Sequence, residues 1–212
     1  MTSPPLPQRN VRLAWAADVD AIAAIQLVAL RATLPPQVAG ELAAHDLAQA
    51  WRAAVTRPPT ARHRVLVATE GPVDVPAAAP TGGPTLIAAA DLGTSGSSLV
   101  VGFTATGPAE DPDATAGEDG EVLTLHTARP DDELASALLA AAADTLEADG
   151  FRRGQLWVAT TDDALRRVAD GAGWLPDGAH RRLDIPDGLA AAQGSTGGLS
   201  QVRLHTGLTD EQ

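Results

Sequence analysis

Apolar residues recur along the chain with two different spacings, and these spacings predict where its helices and strands lie. Apolar positions three and four residues apart are typical of helices with one buried face. Such stretches cover residues 18–34, 46–57, 131–149 and 162–172. Alternating runs rich in Val, Leu and Thr are typical of strands. They cover residues 11–14, 63–69, 99–106, 121–127, 155–160, 180–185 and 202–205.

The order of these elements predicts an α/β fold (mixed α+β). A strand, a helix and a strand over residues 121–160 indicate a right-handed parallel unit, and the hairpins before it are antiparallel. We therefore expect a mixed, mostly antiparallel central sheet of six or seven strands with helices on both faces.

Two segments interrupt the pattern and predict mobile insertions in an otherwise single domain. Residues 71–98 are rich in Ala, Pro, Gly, Ser and Thr, and residues 107–120 are acidic and contain proline. We expect one domain over residues 11–206, with a disordered lead over 1–10 and a short tail over 207–212.

The composition of the chain restricts the binding partners and the cellular compartment that we expect. The formal net charge is −12, and all fifteen positive charges are Arg, so we expect no nucleic acid and no membrane as partner and favour an amine-bearing ligand. The chain has no Cys, which excludes disulfides and a Cys nucleophile. Its first ten residues lack an apolar targeting segment, and the run over 86–90 is too short to span a bilayer, which predicts a cytoplasmic protein.

The strand over 121–127 leads through a short acidic joint into the next helix. Helix N-termini bind phosphate groups through unpaired N–H groups and the helix dipole. Here the joint carries Asp131, Asp132 and Glu133. At an effective dielectric constant of about 20, each carboxylate some 6 Å from a phosphate charge costs on the order of 2 to 3 kcal/mol before screening. The alternative, which we favour, is that these acids stabilise the first helical turn by about 0.3 to 1 kcal/mol each.

Four phrases, VVGFTATGP, GEVLTLHT, SALLAAAADTLEADGFRRGQLWV and ALRRVADGAGWLPDGAHRRLDI, occur in this order and resemble the GNAT superfamily of acyl-CoA-dependent N-acyltransferases over nearly the whole chain. In that family, a pantetheine arm pairs with the strand equivalent to residues 123–127, and the diphosphate lies on the loop and helix start that follow. The resemblance implies acetyl-CoA as cosubstrate. It implies cofactor contacts from Leu125, His126, Thr127, Leu134, Ala135, Ser136 and Asp162.

The chain departs from the family pattern at two places. Glu133 stands where the phosphate loop of the family has its first Gly, Pro130 stands at its Arg or Gln position, and only Ala135 fits. Ala169 stands where many members carry the Tyr that protonates the leaving thiolate, and the chain has no Tyr. Asp162 matches an Asn that often touches the cofactor arm, although an Asp before a helix is more often an ordinary N-cap.

Acetyl transfer to an amine needs a base, a donor to the oxyanion and a proton for the thiolate. Glu121 matches a family carboxylate that often works through water, and its alternative role is that of a solvated strand-end residue. His126 shares a strand face with Thr124 and is a candidate base or thiolate proton donor, or else a half-buried, hydrogen-bonded histidine. The remaining histidines are dispersed and do not indicate a metal site.

Three functions follow from the resemblance and the departures. The first is an N-acetyltransferase that moves an acetyl group from acetyl-CoA to an amine of a small molecule or a peptide, with its affinity for the cofactor in question. The second is a catalytically degenerate interaction or regulatory module that kept the fold. In the third, another acyl-CoA or a non-nucleotide ligand uses the same cleft. A homodimer is left open.

Overall fold

A computed structural model of the protein describes residues 9–34, 36–71, 98–184 and 198–208. The strands in these ranges are β1 (Arg9–Leu13), β2 (Arg64–Glu70), β3 (Leu99–Pro108), β4 (Asp119–Thr127), β5 (Arg153–Ala159), β6 (Leu175–Asp184) and β7 (Gly198–Gly207). The helices are α1 (Val19–Thr33), α2 (Pro36–Glu41), α3 (Ala44–Thr56), α4 (Asp132–Ala148) and α5 (Asp163–Gly171), and a 3-10 turn (Ala16–Asp18) precedes α1.

The strands of the described ranges form one sheet in the order β1-β2-β3-β4-β5-β7-β6. All neighbours are antiparallel except β4 and β5, which are parallel because α4 connects them as a crossover. Helices α4 and α5 cover one face, and α1 and α3 cover the other. This arrangement confirms the predicted mixed, mostly antiparallel sheet with helices on both faces.

One stripe of α4 forms the centre of the larger core. Its buried residues recur at spacings of one, three and four, which places them on one side of the helix. They are Leu134, Leu138, Leu139, Ala142 and Leu146, each exposed by 3% or less. Truncation of such a leucine to Ala typically costs about 2 to 5 kcal/mol. Gly150, with a φ of 84°, follows the end of this helix as predicted.

The parallel pairing of β4 with β5 is short and ends at Val122 and Leu156. Close to this end, β4 contains a β-bulge: Ala105 of β3 lies opposite Thr124 and Thr106 lies opposite Val122, so Leu123 is the extra residue. A bulge increases the local twist of a strand. The two strands therefore diverge, and we call the gap between residues 123–127 of β4 and 157–159 of β5 the splay.

Two glycines lie side by side in the paired part, Gly120 in β4 and Gly154 in β5. A Cβ atom at Gly120 would lie 2.6 Å from Leu146 Cδ2 and 2.8 Å from Phe151 Cδ2. A Cβ atom at Gly154 would lie 2.9 Å from Trp174 Cη2. Core side chains thus pack directly on the backbone where the two strands are joined, and this packing fixes the point at which the splay begins.

Several boundaries differ from the sequence expectations. The short helix α2 was not predicted, because two prolines mark this region, yet a proline fits the first turn of a helix, where its missing N–H is not needed. Strands β6 and β7 are longer than predicted. The Asp18 carboxylate accepts a hydrogen bond from the Trp15 N–H and pairs with Arg12, so its side chain does not cap the first turn of α1.

The predicted insertions and chain ends are only partly described. Strands β3 and β4 extend into the segment over 107–120, and Asp119 Oδ2 accepts a hydrogen bond from the Thr115 N–H there. Residues 72–97, which form nearly all of the other insertion, lie outside the described residues. So do residues 1–8 of the predicted lead and 209–212 of the predicted tail. None of the helices in the described ranges has the length and hydropathy needed to cross a bilayer.

Gly120→Ala is expected to lower the free energy of unfolding by about 1 to 3 kcal/mol, because the added methyl group has no room against Leu146 and Phe151. Gly171→Ala is the matched control: in the described ranges, no atom beyond its chain neighbours and its own helix backbone lies within 4 Å of its Cβ position, and we expect a gain of about 0.4 to 1 kcal/mol. Urea unfolding followed by circular dichroism measures both. Wild-type stability of Gly120→Ala would contradict the proposed packing.

Candidate functional site

A cavity of about 320 Å³ lies at the carboxyl end of β4, where the splay opens. Its walls come from α1, from the end of β4 and the joint over 128–131, and from the N-terminal parts of α4 and α5. The structure brings five of the predicted cofactor residues together around it: Leu125, His126, Thr127, Ala135 and Asp162. Sequence elements far apart in the chain thus meet at one end of the central strand.

The other predicted site residues lie elsewhere. Leu134 is 3% exposed and belongs to the core beneath α4, and Ser136 is exposed on the same helix. Neither is among the residues that line the cavity. Glu121 lies near the opposite end of β4, in the part that is still paired with β5.

The backbone of β4 beyond Val122 offers an edge for an extended ligand. In an antiparallel strand, alternate residues direct their N–H and C=O groups to opposite sides. Residues 124–127 pair with β3 on one side, and on the other side the pairing with β5 has already ended. An extended chain that carries amide groups fits such an edge, because it can pair with it as an added strand does.

His126 is half-buried beside the cavity. Its ring lies 5.5 Å, centroid to centroid, from the Phe103 ring and is tilted by 58°. Burial lowers the pKa of His126 below its usual value, and the negative charge of Asp162 opposes this shift only in part. The imidazole is therefore neutral at neutral pH. Asp162 itself accepts a hydrogen bond from the Leu165 N–H at 3.0 Å and is the N-cap of α5, as the ordinary role predicts.

Glu121 is buried, with 8% of its surface exposed, and it has a second acid beside it. Gln155 Nε2 lies 2.7 Å from Asp111 Oδ2 and 3.4 Å from Glu121 Oε2, so one amide group bridges two carboxylates. Burial raises the pKa of Glu121, and the Asp111 charge adds to this shift, while Gln155 and Arg181 oppose it. A carboxylate with a raised pKa is a more effective proton acceptor near neutral pH.

The loop between β3 and β4 holds Asp111 in this position. Trp157 Nε1 donates a hydrogen bond of 2.8 Å to Asp111 Oδ2. Two residues further on, Asp113 accepts two hydrogen bonds from Arg203, at 2.7 and 2.6 Å. The loop is thus attached to both β5 and β7, and Asp111 lies against the same sheet face as Glu121.

Sequence analysis missed Asp111, Gln155 and Trp157 as members of this site. Asp111 is separated from Gln155 and Trp157 by 44 and 46 residues, and no local pattern reports such a contact. The only signal was the acidic composition of residues 107–120, which we interpreted as an insertion.

The start of α4 shows how the acidic joint is used. Asp131 is the N-cap, and its Oδ1 accepts a hydrogen bond from the Leu134 N–H at 2.9 Å. Arg9 donates to Asp131 Oδ2 at 2.9 Å and lies 3.7 Å from Glu133, and Arg167 lies 3.5 Å from Asp132. The capping interpretation is confirmed for Asp131. The site therefore suits only one part of acetyl-CoA. The splay can accept the pantetheine arm, whereas the N–H of Leu134, at the helix start that would receive the diphosphate, already donates to the Asp131 carboxylate.

In the described part of the chain, no three or more His, Cys, Asp or Glu side chains are grouped so that they could hold a metal ion.

Comparisons with known proteins show that the fold of the chain is similar to that of solved structures, although the sequence identity is low. No protein-family model and no curated protein matches the chain. Among solved structures, the chain resembles yncA of Salmonella typhimurium, assigned as an acetyltransferase and solved with its cofactor acetyl-CoA (15% identity, 96% of this chain and 95% of that chain, TM-score 0.60). It resembles an N-acetyltransferase from Staphylococcus aureus (15% identity, 95% and 99%, TM-score 0.63). It also resembles a GCN5-related N-acetyltransferase from Kribbella flavida (17% identity, 94% and 97%, TM-score 0.59). The chain has the GNAT fold.

Glu121→Gln is expected to stabilise the protein at neutral pH. Because burial raises the pKa of Glu121, the folded state binds this proton more tightly than the unfolded chain. The ionised carboxylate therefore costs stability above the folded pKa, and the cost disappears below about pH 4, where both states are protonated. We expect a gain of about 0.5 to 2 kcal/mol at pH 7 and little gain at pH 4.

Urea unfolding at both pH values measures this effect. Glu118→Gln is the control, since Glu118 is exposed in the loop just before β4, and its stability should follow that of the wild type at both pH values. A loss of stability in Glu121→Gln at pH 7 would show that the buried charge is compensated.

Proposed function

We propose that the protein is an N-acetyltransferase that moves an acetyl group from a thioester donor of the acetyl-CoA type to the amine of a small molecule or a peptide. The observation that carries this proposal is the combination, on one strand, of an open backbone edge and a buried acid. The edge over 123–127 suits an extended thioester arm, and Glu121 lies at the closed end of the same gap.

The donor would be held by the backbone of β4 and by the side chains around the cavity, namely Leu125, His126, Thr127, Ala135 and Asp162. The acetyl-CoA present in the Salmonella typhimurium structure of the same fold supports a donor of this class. When bound, the donor supplies an acetyl group that is activated as a thioester.

The length of β4 separates the two candidate bases. Glu121 and His126 are five residues apart, which at about 3.3 Å per residue corresponds to roughly 16 Å. One reacting centre cannot contact both directly. By the family resemblance, the arm extends from the start of α4 towards Leu123, so its acyl end lies near the bulge. Glu121 is two residues from Leu123 and acts there as the base, through a water molecule, whereas His126 lies beside the arm.

The acceptor is an amine that arrives as an ammonium ion. Glu121 lies beside the Gln155 amide, and the whole chain carries a net charge of −12. Asp111, on the other side of this amide, is balanced by Arg181 and Arg203, which lie 3.8 and 3.6 Å from it. The buried carboxylate of Glu121 and the net negative charge therefore favour the approach of a cation. Glu121 then takes the proton of the ammonium, and water replaces the absent Tyr as proton source for the thiolate.

One set of observations favours the second candidate function, a GNAT-fold module without catalysis. The N-terminus of α4 is capped by Asp131, and Ala169 stands where many family members have the proton-donating Tyr. A module of this kind would bind a partner through its surface and would acetylate no amine.

Glu121→Gln is expected to reduce kcat/KM by about 10² to 10⁴, because it removes the general base while the fold is kept. The assay follows thiol release from acetyl-CoA with a panel of primary amines. Glu118→Gln, an exposed acid nearby, is the control that should retain wild-type rates. Full activity of Glu121→Gln would exclude Glu121 as the base, and a wild-type protein that acetylates no amine would favour the module.

Asp111→Asn is expected to move the acidic limb of the pH profile of kcat/KM to lower pH. The Asp111 charge raises the pKa of Glu121, so its removal lets Glu121 ionise at lower pH, while Asn keeps an oxygen that can accept from Gln155 and Trp157. Glu118→Gln, which removes an exposed charge before β4 that does not act on Glu121, is the control with an unshifted limb. A shift towards higher pH would contradict the role of Asp111.

A further inference from the structure

The hydrogen bonds at the start of α4 leave little for an anion to bind. The first N–H groups of a helix attract phosphates because they have no partner inside the helix. Here the Leu134 N–H, which is one of them, donates to Asp131 Oδ1 at 2.9 Å. The N–H groups next to it belong to Asp132 and Glu133, whose side chains are 60% and 93% exposed and negatively charged.

The Asp131 carboxylate is fixed in this place from two sides. Its second oxygen, Oδ2, accepts a hydrogen bond from Arg9 at 2.9 Å, and Arg9 is held in turn by Glu70 at 3.0 Å. The side chain of Asp131 is 16% exposed. The bond from the Leu134 N–H keeps the pKa of Asp131 below its usual range, so the group is charged at neutral pH. A rotation that cleared the position would break both contacts.

Much of the cavity wall along the splay is apolar, and it includes Ala29, Leu125, Ala135, Leu165 and Val168. The cavity is also lined by the charged residues Arg129, Asp131, Asp132 and Asp162, whereas the ligand groups on β4 are backbone amides. An arm made of amide and methylene groups matches this lining, because its amides pair with the strand edge and its methylenes meet apolar side chains.

We propose that this chain recognises its acyl donor by the pantetheine arm alone, and that the Asp131 side chain takes the place at α4 where a diphosphate would bind. The donor class is therefore an acyl-pantetheine thioester, for which the nucleotide part of CoA adds no affinity. This inference rests on the proposed function, since it concerns the donor of the same site.

The test compares CoA with pantetheine by titration calorimetry on the full chain. The wild type is expected to bind the two within about threefold of each other. Asp131→Gly, which removes both the charge and the oxygen that occupies the Leu134 N–H while Gly is tolerated at an N-cap, is expected to bind CoA at least tenfold more tightly and pantetheine unchanged. Asp144→Asn removes an exposed charge from the same helix, away from the cavity, and should alter neither affinity.

Salt gives a second readout that does not depend on a variant. Raising the NaCl concentration from 50 to 500 mM shortens the screening length from roughly more than 10 Å to a few Å. The repulsion between CoA and the acidic residues at the start of α4 then weakens, so CoA binding to the wild type should tighten. Pantetheine is uncharged and should respond little. If Arg129, which also lines the cavity, held the diphosphate, added salt would weaken CoA binding instead.

The outcomes separate this inference from the proposed function. Preference of the wild type for CoA over pantetheine by tenfold or more, or an unchanged ratio in Asp131→Gly, overturns the inference and leaves the acetyltransferase standing. Similar binding of both ligands without acetylation of any amine supports the inference and overturns the proposed function. Absence of binding by both ligands overturns both.

Discussion

Parallel pairing between β4 and β5 ends at Val122 and Leu156, and the placement of the candidate site depends on that end. Before it, Gly120 and Gly154 let Phe151 and Trp174 pack on the joined strands. After it, the bulge at Leu123 turns β4 away from its neighbour. Had the pairing continued, the sheet itself would satisfy the backbone groups over 123–127, and no edge would remain for a ligand. The site thus arises from an interrupted sheet.

The carboxylates near the two ends of β4 lie in opposite electrostatic environments. Beyond its carboxyl end, Asp131 has a backbone N–H and Arg9 as partners. Partly exposed ion pairs of this kind add little to stability, but they fix the geometry of the joint. Near the other end, Glu121 is buried next to a second carboxylate, and its contact with Gln155 is long. The raised pKa of Glu121 indicates that this arrangement costs stability, as is common where a group must exchange protons.

Local sequence patterns were sufficient for most of the elements, and the family resemblance was needed for part of the site. The helical spacing predicted α4, and the resemblance implied the cofactor residues Leu125, His126 and Thr127, which line the cavity. The capping role of Asp131 also follows from its position before a helix. In contrast, the bulge depends on the register between β3 and β4, and Asp111 reaches Gln155 through a loop contact across 44 residues. Contacts of this length are decided by the packed fold, so periodicity does not report them.

The two candidate functions explain different parts of the chain. A capped helix start serves a folded module as well as an enzyme, because Asp131 stabilises α4 in both. The cluster of Glu121, Asp111 and Gln155 is different, since a protein that needed only its fold would gain from a neutral side chain at position 121. Hydrogen bonds from β5 and ion pairs from β7 hold the loop that brings the second carboxylate to this cluster. Glu121 is thus a buried acid whose neighbourhood is held by several hydrogen bonds and ion pairs. A role in proton transfer at the start of the splay explains this arrangement better than the needs of the fold alone.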